Sequence, residues 1–241
     1  PGSGSEPAAS ATKAEPASLR PGAPAPLAIA APSRTDSRDV PPGRTRDAGE
    51  NPLPLPGSRE EVRCVAALFP ASTVLLGREA SKRNLASLSH RGRLSDFDLI
   101  HLALHLQYDP QRFEPALLLF GEPDDTIRPT GGMAADDNSR IGAWEILSTW
   151  KLDADLVTVS ACKSGRMELG TEALAGIGEA LLRAGARCLL VSPWDVDDAA
   201  TALLMERFYQ NLAGAYQDER HGRVGQPMSK LLALQDRKSG V

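Results

Sequence analysis

The stretch Asp155-Leu-Val-Thr-Val-Ser-Ala-Cys-Lys-Ser-Gly165 is an apolar, β-branched run that ends abruptly in polar residues and a glycine. This pattern predicts a buried strand with a turn directly after it. A second run of the same character, Phe97-Asp-Leu-Ile-His-Leu-Ala-Leu104, is followed at once by His105. Ligand sites in open α/β sheets form beyond the carboxyl ends of parallel strands, so Cys162 and His105 are expected at such an end. A thiol and an imidazole placed there are the ingredients of a cysteine hydrolase.

Predicted strands and helices alternate on both sides of these two runs. Further strands are predicted at 26–32, 73–76, 116–120 and 187–192, and helices from Ser58, at 81–88, around Trp144, at 171–184 and from Asp197 to about Tyr216. Ser58-Arg-Glu-Glu61 has the pattern of a capping box, which predicts the start of the first helix at Ser58. The alternation predicts an α/β fold, a three-layer α/β/α sandwich with a mainly parallel sheet of about six strands.

The composition divides the 241 residues into a tail and one domain. Residues 1–24 are rich in Pro, Ala, Gly and Ser and carry few bulky apolar side chains, which predicts a disordered linker or tag remnant. Residues 25–241 are long enough to form a core of their own. Within them, 33–52 and 121–140 are predicted to be mobile loops.

Charge and motif content exclude several classes of function. A formal net charge of −4 without a basic block argues against direct nucleic-acid contact. No apolar run approaches the roughly 20 residues that span a bilayer, and no signal core is evident, so a cytoplasmic protein without a membrane span is expected. The glycine-rich phosphate motifs and G-x-S-x-G are absent. Neither a cofactor nor a metal is predicted.

The two histidines of the 97–105 run have different expected roles. In a strand, His101 and His105 share a face but lie about 13 Å apart, so they cannot serve one centre. The same spacing on a helix suits a metal pair, yet the run is a poor amphipathic helix and a good buried strand. His101 is therefore interpreted as a core residue, and His105, where the run turns polar, as the residue that reaches a ligand.

The three cysteines also differ in their expected environment. Cys162 follows the last apolar residues of its strand, at the mouth of the sheet. Cys188 falls inside a predicted strand and Cys64 on the buried face of the first helix, so both are interpreted as structural. An odd number of scattered cysteines does not form a disulfide framework.

Five motifs in order resemble the CHAT family of caspase-like cysteine peptidases, relatives of separase. Ile100-His-Leu-Ala-Leu-His105 is similar to the family's L-H-F-A-T-H-G, and Val159-Ser-Ala-Cys-Lys-Ser-Gly165 to L-S-A-C-E-T-G. The resemblance continues through Leu181-Leu-Arg-Ala-Gly-Ala-Arg187, Ser192-Pro-Trp-Asp-Val-Asp-Asp198 and Met205-Glu-Arg-Phe-Tyr209. It covers about residues 24–236.

The resemblance implies a cysteine endopeptidase with His105 as general base and Cys162 as nucleophile, without metal or cofactor. It places the backbone N–H groups of Leu106 and Cys162 in the oxyanion hole. Leu106 stands where the family normally has glycine, and Lys163-Ser164 replaces Glu-Thr. The implied partner is a protein or peptide substrate, and the implied setting is a larger bacterial protein with sensor or repeat domains.

Trp194-Asp195-Val196-Asp197-Asp198 falls where the resemblance places a wall of the first specificity pocket. Asp195 is expected to pair with a basic substrate side chain, and the alternative is an apolar pocket walled by Trp194. Asp197 is better explained as a helix cap. A second functional class stays open: a degenerate CHAT scaffold, tolerant of Leu106, that acts as an interaction or regulatory module.

Overall fold

A computed structural model of the chain describes residues 26–30, 56–69, 71–109, 114–118, 140–160, 170–191, 198–215, 217–218, 223–224 and 227–235. The strands in these ranges are β1 Leu27–Ala30, β2 Thr73–Leu76, β3 Leu99–Ala103, β4 His105–Asp109, β5 Glu114–Leu118, β6 Arg140–Gly142, β7 Leu156–Ser160, β8 Leu189–Val191, β9 Gln217–Asp218 and β10 Arg223–Val224. The helices are α1 Pro56–Leu68, α2 Lys82–His90, α3 Ala143–Thr149, α4 Gly170–Ala184, α5 Asp198–Ala213 and α6 Lys230–Gln235.

The central sheet has the strand order β2-β1-β3-β7-β8, and every pair in it is parallel. β3 and β7 are direct neighbours, in a register that runs from Leu99 opposite Leu156 to Ala103 opposite Ser160. Both strands are buried along their whole length, as their nearly continuous apolar sequence predicts. The mainly parallel sheet is confirmed.

The sheet has five strands in the described part of the chain, whereas the sequence predicted about six. Residues 114–118 form β5, which pairs antiparallel with β4 in a separate three-stranded sheet of order β4-β5-β6. The chain passes from β3 through Leu104 straight into β4, and β5 runs back along β4. A parallel partner needs a crossover of a dozen or more residues, which the connection between β4 and β5 does not provide.

Helices cover both faces of the central sheet. Side chains alternate between the two faces along each strand, and apolar side chains on both faces pack against helices. On one face, Leu99 and Leu156 pack with residues of α1, α5 and α6, among them Val65, Met205, Phe208, Leu212 and Ala233. On the other face, Ile100, Leu102, Val157 and Val159 pack with residues of α2, α3 and α4, among them Leu85, Ile146, Ile177 and Leu181. The predicted three-layer α/β/α sandwich is therefore correct.

Two details of the helices differ from the sequence prediction. α1 begins at Pro56, so Ser58 and Glu61 lie inside the helix and are buried rather than forming a capping box. The sequence predicts that Leu203, Leu204, Phe208 and Leu212 lie on the inner side of the last long helix. In α5, Phe208 and Leu212 are buried and Leu204 is half-buried, whereas Leu203 is 67% exposed.

Gly185 ends α4 in a conformation that other residues rarely adopt. Its φ is +120°, and its N–H donates to the carbonyl of Leu182. The backbone of Leu152 crosses directly over it, and the Leu152 N–H donates to the carbonyl of Ala184 at 2.8 Å. A Cβ added at Gly185 meets the Leu152 oxygen at 2.1 Å. The turn from α4 toward β8 thus requires glycine for both conformation and space.

Candidate active site

The carboxyl ends of β3 and β7 lie side by side, with Ala103 opposite Ser160. His105 comes two residues after Ala103, and Cys162 comes two residues after Ser160. Residues 161–169 and 192–197 lie outside the described residues, and they include Cys162, Trp194 and Asp195. The predicted boundary at 24/25 and the predicted loop at 33–52 also fall outside them. Residues 121–139 of the other predicted loop do too, and Arg140 begins β6.

His105 lies directly beyond the carboxyl end of β3, separated from it by Leu104 alone. It is the first residue of β4, opposite Leu118 of β5, and it is buried with 3% of its surface exposed. Backbone pairing on β4 and burial together restrict where the imidazole can move. The structure therefore places a buried histidine next to the ends of the two central strands.

The backbone N–H of Leu106 points away from β5. Antiparallel strands alternate between hydrogen-bonded and non-hydrogen-bonded residue pairs. Pro115 has no N–H, so its pair with Tyr108 is of the non-hydrogen-bonded type. Two residues along, Leu106 opposite Leu117 belongs to the same type. β4 is at the edge of its sheet, so this N–H faces the side of β4 that has no neighbouring strand within the described ranges.

Leucine at position 106 fits the local backbone and the core. The residue lies inside the extended strand β4, and positive φ values in the described chain occur at glycines, so no left-handed conformation is required at Leu106. Its side chain is 7% exposed and belongs to the main hydrophobic cluster with Leu117 and Ile177. The N–H of Leu106 thus faces the open side of β4, whereas its side chain packs in the hydrophobic core.

His101 is a core residue, as predicted, and takes part in a chain of four polar side chains. Its Nδ1 lies 3.2 Å from the hydroxyl of Tyr209, and that hydroxyl lies 2.7 Å from Oγ1 of Thr158. Its Nε2 lies 3.0 Å from Oε1 of Glu61, close enough for an ion pair but poorly aligned for a hydrogen bond. At most 2% of any of these residues is exposed. We call Glu61, His101, Tyr209 and Thr158 the buried polar chain.

The sequence prediction missed three members of the buried polar chain. Burial raises the pKa of Tyr209, with an opposing effect from the Thr158 hydrogen bond and a further rise from the Glu61 carboxylate. The phenol therefore stays protonated and can act as donor and acceptor at once. One sequence signal pointed to this arrangement: Thr158 and His101 occupy the same relative position in the two strand motifs, four residues before Cys162 and His105.

Cys64 and Cys188 are both partly buried and free of disulfide bonds. Cys64 lies on α1 with its sulfur 3.8 Å from Oε1 of Glu60. Burial raises the pKa of the Cys64 thiol, and the carboxylates of Glu206 and Glu60 raise it further. Cys188 directly precedes β8, and its carbonyl accepts a hydrogen bond from the Val157 N–H. The environment of Cys64 disfavours the thiolate that nucleophilic chemistry needs.

We predict that Cys64 reacts slowly with iodoacetamide at neutral pH. Only the thiolate reacts, and a raised pKa lowers its population, so the rate should climb only as the pH rises beyond the usual thiol range. The measurement is residue-resolved alkylation by mass spectrometry between pH 7 and 10. The reference is the same cysteine in denaturant, which should react faster at each pH below the upper end of this range. Equal rates in folded and unfolded protein contradict the prediction.

Two other features, a metal centre and a membrane-spanning helix, are absent from the described part of the chain. No cluster of three or more His, Cys, Asp or Glu side chains in these ranges has the arrangement of a metal centre. No helix among the described residues is both long and apolar enough to cross a membrane.

Comparison with known proteins finds a matching family model and two similar proteins. The CHAT domain model matches residues 4–237. Tetratricopeptide repeat protein 28 of Mus musculus is 25% identical over 186 residues, and its Homo sapiens counterpart is 23% identical over 180 residues. Each alignment covers 66% of this chain but 7% of the relative, so the chain spans a small part of these proteins. CHAT domains have a caspase-like fold and are related to cysteine peptidases. With the match extending over nearly its whole length, the chain belongs to the CHAT domain family.

Proposed function

We propose that the chain is a cysteine endopeptidase with His105 and Cys162 as its dyad. The observation that carries this proposal is the register of β3 and β7, which sets Ala103 opposite Ser160. Each strand reaches one member of the dyad two residues later. Neighbouring parallel strands lie about 4.8 Å apart, a separation that suits a thiol and an imidazole acting on the same substrate carbonyl.

The proposed reaction proceeds in two steps. The Cys162 sulfur, as thiolate, attacks the carbonyl carbon of the scissile peptide bond. The C–N bond breaks, the His105 imidazolium gives its proton to the leaving amine, and a thioester remains on Cys162. Water then attacks the thioester, His105 takes a proton from it, and the carboxylic acid product leaves as the sulfur regains its starting state. The protein supplies all the groups that these steps need.

The N–H of Leu106 is proposed as one donor of the oxyanion hole, with the N–H of Cys162 as the other. Its support is the non-hydrogen-bonded pairing of Leu106 with Leu117, which turns the N–H away from β5. A backbone donor does not depend on the identity of the side chain. Leucine in place of glycine is therefore compatible with the proposed chemistry, provided that the substrate carbonyl reaches this edge of β4.

The proposed setting is a larger protein in which other domains control the peptidase. The support is that both relatives are named for tetratricopeptide repeats and that the matched part makes up 7% of each. A repeat domain joined to the CHAT domain would bring the signal that opens the site to a protein substrate.

Peptide cleavage tests the proposed function. The chain is incubated with a diverse peptide library, and new amino and carboxyl ends are identified by mass spectrometry. Wild-type protein should produce a defined set of cleavages that Cys162→Ala protein, purified in parallel, does not produce. If the chain produces the same cleavages after Cys162→Ala, they do not need the thiol, and the proposal is contradicted.

Asp195 is proposed to select substrates with Arg or Lys before the scissile bond. Asp195→Asn should reduce the preference for Arg over Leu by about one to two decades, because it removes a charge-assisted pair that contributes about 1.5–3 kcal/mol. The measurement is the ratio of kcat/KM for matched Arg and Leu peptides in both proteins. An unchanged ratio means that the pocket is apolar and walled by Trp194 instead.

The alternative function is a CHAT scaffold without catalysis that serves as an interaction or regulatory module. Leu106 and Lys163-Ser164, which depart from the family motif, favour this alternative. Thiol reactivity separates the two functions. A peptidase predicts that an electrophile labels Cys162 well ahead of Cys64 and Cys188, whereas a scaffold predicts no such order.

A further inference from the structure

The buried polar chain connects the two strands that lead to the proposed dyad. His101 on β3 and Thr158 on β7 are partners in the parallel register and are both fully buried. The hydroxyl of Tyr209, from α5, lies 2.7 Å from Thr158 and 3.2 Å from His101. One hydroxyl thus bridges neighbouring strands from a helix on the same face of the sheet.

The position of this bridge relates it to the proposed dyad. His101 comes four residues before His105, and Thr158 comes four residues before Cys162. The bridge therefore lies two residues, or about 7 Å, behind the last residues of β3 and β7, Ala103 and Ser160. A shift of β3 against β7 at the bridge is passed on to the strand ends, because a hydrogen-bonded strand transmits displacement along its length.

The hydrogen bonds of the buried polar chain restrict the relative positions of the strands more than the surrounding apolar contacts do. Leu99, Leu156 and Phe208 pack on the same face and keep their contacts through small shifts. Hydrogen bonds weaken steeply with angle and distance, and an unpartnered polar group in the core is costly. The Tyr209 ring is held edge-on against His101, Phe208 and Phe69, which fixes where its hydroxyl can lie. The hydroxyl of Tyr209 can therefore hydrogen-bond to both His101 and Thr158 in only one relative alignment of β3, β7 and α5.

We propose that the buried polar chain is a positioning device that holds the ends of β3 and β7 in the alignment the His105 and Cys162 dyad needs. Tyr209 and Thr158 are its central positioning residues. Glu61 completes it from α1, 3.0 Å from the second ring nitrogen of His101. The link to catalysis rests on the proposed peptidase function, whereas the alignment of the strands does not.

The test compares variants that remove one hydroxyl and little else. Tyr209→Phe keeps the ring, Thr158→Val keeps the shape of the side chain, and Thr158→Ser restores the hydroxyl as a conservative rescue. Val65→Ala is the matched control, because Val65 is buried in the cluster that includes Tyr209 but has no hydrogen-bonding side chain. All variants are made in the whole 241-residue chain and compared as folded protein.

Two readouts are measured on each protein. The first is hydrogen exchange of the backbone amides of β3 and β7, normalised to those of α4, which reports strand alignment without reference to activity. The second is the rate of Cys162 alkylation and its dependence on pH. Tyr209→Phe and Thr158→Val should each speed exchange of the strand amides about tenfold beyond the control. They should slow Cys162 alkylation at neutral pH tenfold or more and move its pH midpoint upward, since a misplaced imidazole no longer favours the thiolate.

The double variant should show about the same loss as each single variant, because both remove the same bridge. Thr158→Ser should behave like wild type.

If normalised exchange in Tyr209→Phe matches that in Val65→Ala, the positioning role is wrong. If hydrogen exchange changes but Cys162 alkylation and its pH profile do not, the buried polar chain has only a structural role and the proposal is likewise overturned. If wild-type Cys162 reacts like an ordinary thiol, the peptidase proposal fails, and hydrogen exchange still decides the alignment.

Discussion

Cys162→Ala should abolish peptide cleavage, and His105→Ala should lower kcat/KM by about three decades or more. The first variant removes the atom that attacks the substrate, and the second removes the group that moves protons and favours the thiolate. At pH 7 an ordinary thiol is only a few per cent ionised, so loss of the imidazole alone should slow Cys162 alkylation by roughly 30-fold. Peptide turnover and residue-resolved alkylation measure the two effects.

The matched controls for these variants are Cys64→Ser and Cys188→Ser. Neither residue lies at the ends of β3 and β7, and Cys64 is disfavoured as a thiolate by burial and by Glu206 and Glu60. Both variants should keep wild-type activity within about twofold, a change of less than 0.5 kcal/mol. Full activity in folded His105→Ala protein, or its loss in Cys188→Ser protein, would show that the dyad is assigned to the wrong residues.

Gly185→Ala should lower the free energy of unfolding by about 4 kcal/mol or more. The φ of +120° is strained for any residue with a side chain, and the added Cβ meets the Leu152 oxygen at 2.1 Å. The obstacle is backbone that is hydrogen-bonded to Ala184, so it cannot move aside as a flexible side chain does. Domains of this kind are stable by about 5–15 kcal/mol, and the variant should therefore unfold at far lower denaturant concentration.

Gly92→Ala is the control for the conformational part of this effect. Gly92 also has a positive φ, of +67°, but an added Cβ there meets nothing within 4 Å. We expect a loss of about 1–2 kcal/mol from conformation alone. Urea unfolding of both variants measures the difference, and equal losses would mean that the close approach of Leu152 to Gly185 does not limit stability.

The parallel strands of the core could be predicted because their sequences are simple. β3 and β7 are short apolar runs that end in polar residues, and the positions of β1 and β2 follow from similar local signals. The separate sheet of β4, β5 and β6 could not be predicted in this way. Residues 114–118 have the composition of a strand, but composition does not determine whether a strand joins a parallel or an antiparallel partner.

The buried polar chain shows why part of the interior escaped prediction. Glu61 stands three residues after Ser58, and this local spacing matched a capping box. Its actual neighbour is His101, on a different element. Tyr209 is separated from Thr158 by 51 residues and from His101 by 108. Contacts between residues so distant in sequence depend on how helices and sheet pack, which a local pattern does not contain.

A crystal structure of the chain after reaction with a peptidyl ketone that ends in arginine shows directly whether His105 and Cys162 act at one site. We predict a covalent bond between the inhibitor and the Cys162 sulfur, with a ring nitrogen of His105 within about 4 Å of that sulfur. The inhibitor oxygen should accept a hydrogen bond from the Leu106 N–H at about 2.7–3.1 Å. Attachment at Cys64 or Cys188, or a separation of about 10 Å or more between Cys162 and His105 in the adduct, would show that these two residues are not a catalytic dyad.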